Sequence, residues 1–265
     1  MQNISVIIPT YNRAEALERA VRSALAQTHA VHEVLVCDDG CNDDSRARMT
    51  AIGDDRVKWI AGPRAGRPAV PRNRGIAAAT GEWLAFLDDD DAWQPDKLAV
   101  QMDAVQRHGT HAACCNARRM APDTGDLGPY FNEPERVYGL DELLPVNRVI
   151  CSSVLVRRDL VLLAGGFPEA PELRALEDYA LWLRLCLFTR FAYCPQSLLD
   201  YNDAPSAGVR REPVPVDVQR DAVLSDLWHW GRARFTSAQR RRVAFFLRGA
   251  RRGAGRRIIE WLFIR

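Results

Sequence analysis

Four consecutive aspartates, Asp88, Asp89, Asp90 and Asp91, follow an apolar segment in the sequence WLAFLDDDDAWQPDKL. Carboxylate oxygens are hard ligands of the kind that Mg²⁺ and Mn²⁺ take, and substrate phosphates complete the coordination of such ions. Two unit charges about 4 Å apart repel by roughly 1 kcal/mol in water and about 4 kcal/mol at an effective dielectric near 20. The cluster therefore predicts either a bound cation or a well-solvated acidic start of a helix, which the helix dipole also favours.

Two more polar clusters follow apolar segments nearer the N-terminus: PTYNR ends ISVIIP, and DDG ends HEVLVC. Apolar segments alternate with helical patterns through the first half of the chain, which is typical of a mainly parallel sheet covered by helices on both faces. In open sheets of this kind, ligands bind outside the carboxyl ends of the strands. We therefore expect the three clusters to form one site at one edge of an α/β sheet.

The elements that must position these clusters can be read from the apolar periodicity. The predicted strands cover residues 4–9, 32–40, 56–61, 82–87, 111–120 and 148–158, and the predicted helices cover residues 14–27, 43–52, 73–80 and 95–109. Asn12 is the predicted N-cap of the first helix, and Asp91 is the predicted cap of the helix after the aspartates. Residues 121–145 are predicted to be rich in loops, and the acidic pair Glu177 and Asp178 opens a further amphipathic helix.

The composition is that of an ordinary globular chain, with 265 residues, of which 47% are apolar and 26% charged. The start MQNISVIIPTYNR lacks the features of a signal peptide, and no apolar run reaches the ~20 residues that a transmembrane helix needs. We therefore expect a cytoplasmic protein whose seven scattered cysteines are reduced. The five histidines complete no zinc-site spacing, and the P-loop and dinucleotide glycine motifs are absent.

The C-terminal part of the chain is strongly basic. Residues 210–265 hold 14 arginines and five acidic residues, a net charge of +9, whereas the whole chain carries only +2. An acidic body with a basic tail predicts a surface that meets anions, such as a membrane or a phosphorylated lipid, although a solvated arginine-rich helix face explains the same composition. Because no nucleic-acid recognition motif accompanies the charge, we expect no nucleic acid partner.

Four motifs occur in order: ISVIIPTYNR, VCDDGCND, RNRGIAAATGEWLAFLDDDDAWQPDKL, and GGFPE followed by LEDYALWLRL. Together they resemble family 2 glycosyltransferases over residues 4–201. The resemblance implies the GT-A fold, an α/β, Rossmann-like fold with a mostly parallel central sheet flanked by helices, here with a C-terminal helical tail. Residues 1–209 would form this domain, with a nucleotide-sugar half at about 1–110 and an acceptor half at about 111–209. Residues 210–265 would form a basic, amphipathic helical extension.

The resemblance also implies an inverting transfer of a sugar from a nucleotide-sugar to an acceptor hydroxyl, with Mn²⁺ or Mg²⁺ as cofactor. It assigns nucleotide and donor binding to the following residues: Pro9, Thr10, Tyr11, Arg13, Asp39, Arg72, Arg74, Asp88 and Asp89. The ring of Tyr11 would stack on the base. The carboxylate of Asp39 would accept a hydrogen bond from the N3–H of uracil or thymine but would face a lone pair on cytosine, which favours UDP or dTDP. Simple turn, strand-end and solvated-surface roles remain open for these residues.

The resemblance further implies that Asp90 is the metal ligand and that Asp178 is the catalytic base that takes the proton of the acceptor hydroxyl. Glu177 is expected to hold the loop or to contact the acceptor, and Arg184 is expected to contact the acceptor or to support its site. Two features depart from the family pattern: Cys41 stands where a serine is usual, and the loop GPRAGRPAVP is unusually rich in proline and arginine. These departures bear on the details of donor binding.

The acceptor and the tail are less constrained by the sequence. Several members of the resembled family act on lipid-linked acceptors, so a glycan, glycolipid or lipid-linked acceptor in bacterial surface polysaccharide synthesis is expected. The apolar patches VAFFL and IIEWLFI beside arginine clusters are typical of an interfacial helix, which predicts peripheral contact with an anionic membrane at its inner, cytoplasmic face. A dimerisation helix or a cover over the acceptor groove explains the same residues, and the oligomeric state stays open. A sugar-phosphate nucleotidyltransferase and a non-catalytic nucleotide-sugar-binding module are the alternative functions.

Overall fold

The structure, a computed structural model, describes residues 2–121, 125–203 and 215–263, with side chains described up to residue 252. The strands in these ranges are β1 (Ile4–Thr10), β2 (Glu33–Asp38), β3 (Val57–Ile60), β4 (Trp83–Phe86), β5 (Ala92–Trp93), β6 (Ala112–Ala121), β7 (Gly125–Pro129), β8 (Arg136–Tyr138), β9 (Leu155–Arg157) and β10 (Phe191–Asn202). The helices are α1 (Ala14–Leu25), α2 (Ser45–Ala51), α3 (Ala69–Ala78), α4 (Lys97–His108), α5 (Leu140–Leu143), α6 (Arg158–Ala164), α7 (Glu177–Leu185), α8 (Val216–Gly231) and α9 (Ser237–Phe263).

All described strands belong to one sheet, in the order β3-β2-β1-β4-β9-β6-β10-β5, with β7 paired to β6 and β8 paired to β10. The strands β3, β2, β1 and β4 run parallel to one another, as the sequence predicts. Beyond β4 the sheet is mixed, because β9 is antiparallel to both β4 and β6, whereas β10 is parallel to β6. The carboxyl ends of β1, β2 and β4 therefore lie along one edge, and the polar clusters of the sequence follow these ends.

The two faces of the sheet carry two separate hydrophobic clusters. In β1 the side chain of Ile7 belongs to one cluster while Val6 and Ile8 belong to the other, which is the period-two alternation of a strand covered on both faces. Trp182 of α7 lies in the first cluster and Leu17 of α1 in the second. Burying each such large side chain contributes about 1.5–3 kcal/mol. The sheet edge that carries the polar clusters is thus held between two packed layers.

The predicted helical tail is confirmed as the pair α8 and α9. Val223, Leu227, Val243 and Leu247 from this pair are buried in the same cluster as Trp182. The expected boundary between residues 209 and 210 and the patch IIEWLFI lie outside the residues whose side chains are described. Within the described ranges, no helix is long and apolar enough to cross a membrane, and every described cysteine is free.

Two capping predictions are wrong. Arg13 occupies the N-cap position of α1, while Asn12 lies in the left-handed region with φ of 51°. Asp91 does not cap α4, because the short strand β5 separates it from that helix and Asp96 takes the N-cap position. Its Oδ1 instead accepts a hydrogen bond from the backbone N–H of Asn202 at 2.8 Å. The fourth aspartate therefore anchors β10 beside the aspartate cluster.

Three predicted element boundaries also change. The helix expected at 73–80 begins at Ala69, after Pro68 in the N-cap position, where the missing N–H of proline costs nothing. The strand expected at 148–158 contains a 3-10 turn at Cys151–Ser153 and becomes a strand only at Leu155–Arg157. The region expected to be loop-rich holds β7, β8 and α5, whose short lengths give little periodic signal.

Candidate active site

Side-chain hydrogen bonds connect the ends of β1 and β4. The hydroxyl of Thr10, the last residue of β1, donates to Asp89 Oδ2 at 2.8 Å. Arg13, which precedes α1, donates through Nη1 to Asp89 Oδ1 at 3.0 Å and to Asp90 Oδ2 at 2.7 Å. The structure therefore brings three predicted donor-site residues and the predicted metal ligand into one hydrogen-bonded group.

The aspartate cluster carries negative charge that its surroundings compensate only in part. Burial, partly offset by Arg13, raises the pKa of Asp89 to about 6. Burial and then the neighbouring Asp88 raise the pKa of Asp90 as well, and the pKa of the buried Asp91 lies well above its ordinary value for the same reasons. Negative charge is unfavourable here in the free protein, so this edge favours a cationic ligand.

The donor set fits a hard divalent cation that is held partly by phosphate. Within the described ranges no three histidine, cysteine or acidic side chains converge on one point, so the protein alone does not offer a closed cage. Mg²⁺ and related ions are commonly bound through one or two carboxylates, with substrate phosphates and water filling the other positions. Asp90 suits such a role because its carboxylate is partly exposed beside Asp88 and Asp89.

Arg72 links the aspartate cluster to the acidic pair at the start of α7. Its Nη2 donates to Asp88 Oδ1 at 2.5 Å, and its Nη1 donates to Glu177 Oε1 at 3.3 Å. The guanidinium is buried over the ring of Phe167, with its carbon 5.2 Å from the ring centroid. Burial opposes its charge, but the field of Asp88 raises the pKa of Arg72, so the bridge stays cationic. One side chain thus holds together residues that are far apart in the sequence.

Asp178 stands next to this bridge, in the first turn of α7. Its Oδ1 accepts a hydrogen bond from the backbone N–H of Tyr179 at 2.7 Å, and its Oδ2 is 3.5 Å from the Asn147 amide nitrogen. The side chain is half-buried, and a carboxylate is favoured at the positive end of a helix. Asp178 is therefore an acceptor of hydrogen bonds at the same sheet edge as the aspartates.

The predicted base-binding residues Tyr11 and Asp39 also meet at this edge. The backbone N–H of Asp39 donates to the carbonyl of Thr10, which ties the ends of β1 and β2 together. The Asp39 carboxylate accepts hydrogen bonds from the Arg64 side chain at 2.6 Å and from the backbone of Ala65 and Gly66. Arg64 in turn covers the ring of Tyr11.

Arg74 points toward the same carboxylate, with Nη2 3.5 Å from Asp39 Oδ1. Its three side-chain nitrogens are buried and have no hydrogen-bond partner among the described residues. The space it fills exists because residue 62 is glycine, since a Cβ there would come within 0.9 Å of Arg74 Nη1. A buried guanidinium with unsatisfied donors is suited to a phosphate or to a base edge.

Two predicted residues contact the protein framework. Pro9 is buried in β1 directly before Thr10, and its expected part in donor binding stays a prediction. Arg184 lies at the far end of α7 and makes a two-point ion pair with Asp226 of α8, at 3.0 Å and 2.7 Å, while its Nη1 donates to the carbonyl of Ala164 at 3.2 Å. The contacts of Arg184 therefore fix the helical tail to the sheet domain, and the acceptor contact expected for it stays a prediction.

Sequence reasoning missed residues that support the site. The amide of Asn73 both donates to and accepts from the backbone of Phe167, at 2.8 Å and 2.9 Å, and so fixes the GGFPE segment under Arg72. The hydroxyl of Ser152 accepts from the backbone N–H of Asp88 at 3.0 Å. Polar residues of this kind have no periodic signal, and only the unusual arginine content of the loop at Arg64 pointed to that residue.

Comparisons with known proteins bear on the family and the fold. The family model described as Glycosyl transferase family 2 matches residues 5–161. The putative teichuronic acid biosynthesis glycosyltransferase TuaG of Bacillus subtilis is 30% identical over 184 residues, which cover 69% of this chain and 71% of that protein. The Escherichia coli protein WfgD, named UDP-Glc:alpha-D-GlcNAc-diphosphoundecaprenol beta-1,3-glucosyltransferase, is 30% identical over 182 residues, 69% of each chain.

A solved structure supports the same fold. S. aureus TarS 1-349, crystallised in complex with UDP-GlcNAc, superposes with a TM-score of 0.74 at 19% identity, over 92% of this chain and 71% of that chain. The likeness confirms the mixed α/β architecture with a central sheet flanked by helices that the motifs imply.

Proposed function

The chain belongs to glycosyl transferase family 2, and from that premise we propose that it is an inverting, metal-dependent enzyme that moves a sugar from a UDP- or dTDP-sugar to an acceptor hydroxyl. The observation that carries the proposal is the Arg72 bridge between Asp88 and Glu177. It holds the donor-side carboxylates and the segment of the proposed base in one rigid arrangement, and such positioning is a large part of what an enzyme contributes to a two-substrate reaction.

On the donor side, each group has a chemical task. Tyr11 and Asp39 would take the base, and Arg13, Arg72 and Arg74 supply positive charge around the position of the phosphates. Asp90 would hold Mg²⁺ or Mn²⁺. When bound, such an ion stabilises the negative charge that the departing nucleoside diphosphate gains in the transition state.

On the acceptor side, Asp178 would act as the general base. As the acceptor oxygen attacks the anomeric carbon, its proton moves to the Asp178 carboxylate and the bond from that carbon to the diphosphate oxygen breaks. A single base with attack opposite the leaving group inverts the anomeric centre. Glu177 is buried and held by Arg72, so we assign it to positioning of the start of α7.

For the acceptor we propose a lipid-linked saccharide in the assembly of a bacterial surface polysaccharide. The support comes from relatives: WfgD is named for a diphosphoundecaprenol acceptor, and TuaG for teichuronic acid biosynthesis. We further propose peripheral contact with anionic lipid at the inner face of the cytoplasmic membrane. In α9, Phe245 is exposed, and Arg241, Arg248 and Arg252 of the same helix are exposed as well. Arginines near an anionic surface contribute about 1 kcal/mol each.

The membrane proposal is tested by flotation with liposomes that contain or lack anionic lipid. We expect the wild-type chain to float with the anionic liposomes. Replacing Arg241, Arg248 and Arg252 together by glutamine should abolish flotation without lowering thermal stability. Equal recovery of both proteins in the unbound fraction would contradict membrane contact.

The donor proposal is tested by the thermal stability of the protein with UDP, dTDP, GDP, CDP or ADP, each with and without Mn²⁺. A ligand that binds only the folded state stabilises it by RT ln(1 + [L]/Kd), so the cognate nucleotide stands out. We expect metal-dependent stabilisation by UDP or dTDP that is lost in Asp90→Ala. If no nucleotide stabilises the protein when Mn²⁺ is present, the donor site is refuted.

A further inference from the structure

The place assigned to the nucleobase is filled by one of the protein's own side chains. The guanidinium carbon of Arg64 lies 3.3 Å from the centroid of the Tyr11 ring. Its Nη1 donates to Asp39 Oδ2 at 2.6 Å. A planar group therefore covers the stacking face of Tyr11 and pairs with the Asp39 carboxylate at the same time, as the base would do under the proposed function.

The base and the Arg64 side chain cannot share this position. A flat ring inserted between Arg64 and Tyr11 would need a separation about twice the observed 3.3 Å. On its loop side the Asp39 carboxylate cannot accept a hydrogen bond from a base, because the backbone N–H groups of Ala65 and Gly66 already donate to its two oxygens at 2.8 Å and 2.9 Å. The Arg64 guanidinium must therefore leave before a base can stack on Tyr11.

We propose that Arg64 is an internal competitor of the nucleobase, which occupies the base position in the free enzyme and thereby sets the affinity for the nucleotide donor. This inference rests on the proposed function and deepens it. In the exchange, the N3–H of the base replaces Arg64 Nη1 as the donor to Asp39 Oδ2, so the carboxylate keeps a partner throughout.

The local backbone favours a side-chain movement over a movement of the loop. Gly40 adopts a φ of +85°, and a Cβ there would lie 3.0 Å from the backbone nitrogen of Arg64, so the loop packs closely on the turn after β2. The backbone donors of Ala65 and Gly66 hold that packing. The Arg64 side chain, by contrast, is 48% exposed and can rotate into solvent.

The competition has a size that can be measured. Cation–π contacts and ion pairs with an exposed partner are individually weak, at most about fivefold each in an equilibrium constant, so the two Arg64 contacts together are worth about tenfold. Because apparent affinity falls by the fraction of molecules that are competent to bind, closing the site by this contact weakens binding by the same factor. We expect Arg64→Ala to bind UDP about tenfold more tightly than wild type, which corresponds to about 1.4 kcal/mol.

Calorimetric titrations of UDP, uridine and inorganic diphosphate, each with Mn²⁺ present, test the proposal. In Arg64→Ala, UDP and uridine should both bind about tenfold more tightly, while inorganic diphosphate, which has no base, should bind as in wild type. Arg64→Lys should fall between the two, because an ammonium group keeps the charge but lacks the flat face. Arg67→Ala is the matched control, since Arg67 belongs to the same loop but donates to the backbone carbonyl of Glu169.

The outcomes separate the two proposals. If wild type binds UDP but Arg64→Ala binds it equally or less tightly, Arg64 is not a competitor, although the donor site stands. An equal gain for inorganic diphosphate also overturns the proposal, since the effect would not depend on the base. If neither protein binds UDP or uridine while both unfold at the same temperature, the donor site itself is refuted and the competitor with it.

Discussion

The Arg72 bridge predicts a large and specific loss of stability when its charge is removed. In Arg72→Met the aliphatic part of the side chain is kept, but Asp88 and Glu177 lose their shared cation. Asp88 is 31% exposed and can be solvated, whereas Glu177 is only 6% exposed. Breaking a buried ion pair by removing one partner costs about 3–5 kcal/mol. Most of the lost stability should therefore come from the Glu177 carboxylate, which stays buried without a cation. We expect Arg72→Met to lower the free energy of unfolding by about 3 kcal/mol at pH 7.

Urea denaturation of wild type, Arg72→Met, Glu177→Gln and the double variant completes a thermodynamic cycle. With Gln at position 177, no buried carboxylate is left unpaired when Arg72 is replaced. The double variant should therefore lose about 2 kcal/mol less stability than the sum of the two single losses, within the range seen for residues in contact. Arg74→Met, in the same helix but without the two-carboxylate bridge, is the control. A loss below about 1 kcal/mol for Arg72→Met would show that the Arg72 bridge does not stabilise the site as described.

Three further predictions concern the framework of the site. Glu33 is buried and, although burial opposes its charge, hydrogen bonds from Lys58, Ser5 and Thr80 lower its pKa to about 2. The ionised Glu33 should therefore add about 3 kcal/mol to the free energy of unfolding above about pH 4.5, and this contribution should be lost as the pH falls toward 2. In Glu33→Gln, the free energy of unfolding should lack this part of the decline in acid. If the free energies of wild type and variant fall in parallel with pH, the assignment is contradicted. Asp226→Asn should lower the free energy of unfolding by about 3 kcal/mol in urea denaturation, because it leaves the buried Arg184 without its carboxylate, and the Kd for UDP should not change. A higher Kd for UDP with unchanged stability would instead place Arg184 in the binding site. A Cβ on Gly75 would meet Cys37 Sγ at 2.6 Å and Ile7 Cγ2 at 2.8 Å, whereas nothing lies within 4 Å of a Cβ on Gly249. Gly75→Ala should therefore lower the free energy of unfolding by about 1 kcal/mol, and Gly249→Ala should raise it by about 1 kcal/mol. Thermal denaturation of both variants checks this, and changes of the same sign would argue against this packing.

The parallel half of the fold could be read from the sequence because its signals are local. The strands β1, β2 and β4 are short apolar runs that end in polar clusters, and parallel pairing brings those ends to one edge. The resemblance to family 2 glycosyltransferases then implied roles for Asp39 and Asp90, and these roles stay predictions.

The remaining features depend on contacts between distant parts of the chain, which periodicity does not report. Arg72 lies 105 residues from Glu177 in the sequence, and Arg184 lies 42 residues from Asp226, so neither partner could be inferred. Asp91 looked like a helix cap because acidic residues favour that position, but the intervening strand β5 redirects it to β10. The contacts of these residues are determined by tertiary hydrogen bonds and not by local sequence preference.

The central claim is that this sheet edge binds a nucleotide-sugar and that Asp178 removes the proton of the acceptor. The most direct measurement compares wild type with Asp178→Asn, using release of UDP from UDP-sugars in the presence of Mn²⁺ and a lipid-linked acceptor, with the Kd for UDP measured in parallel. We expect Asp178→Asn to lose on the order of 10²–10⁴-fold in turnover, while the Kd for UDP changes little. Turnover in Asp178→Asn that equals that of wild type would contradict the assignment of the base.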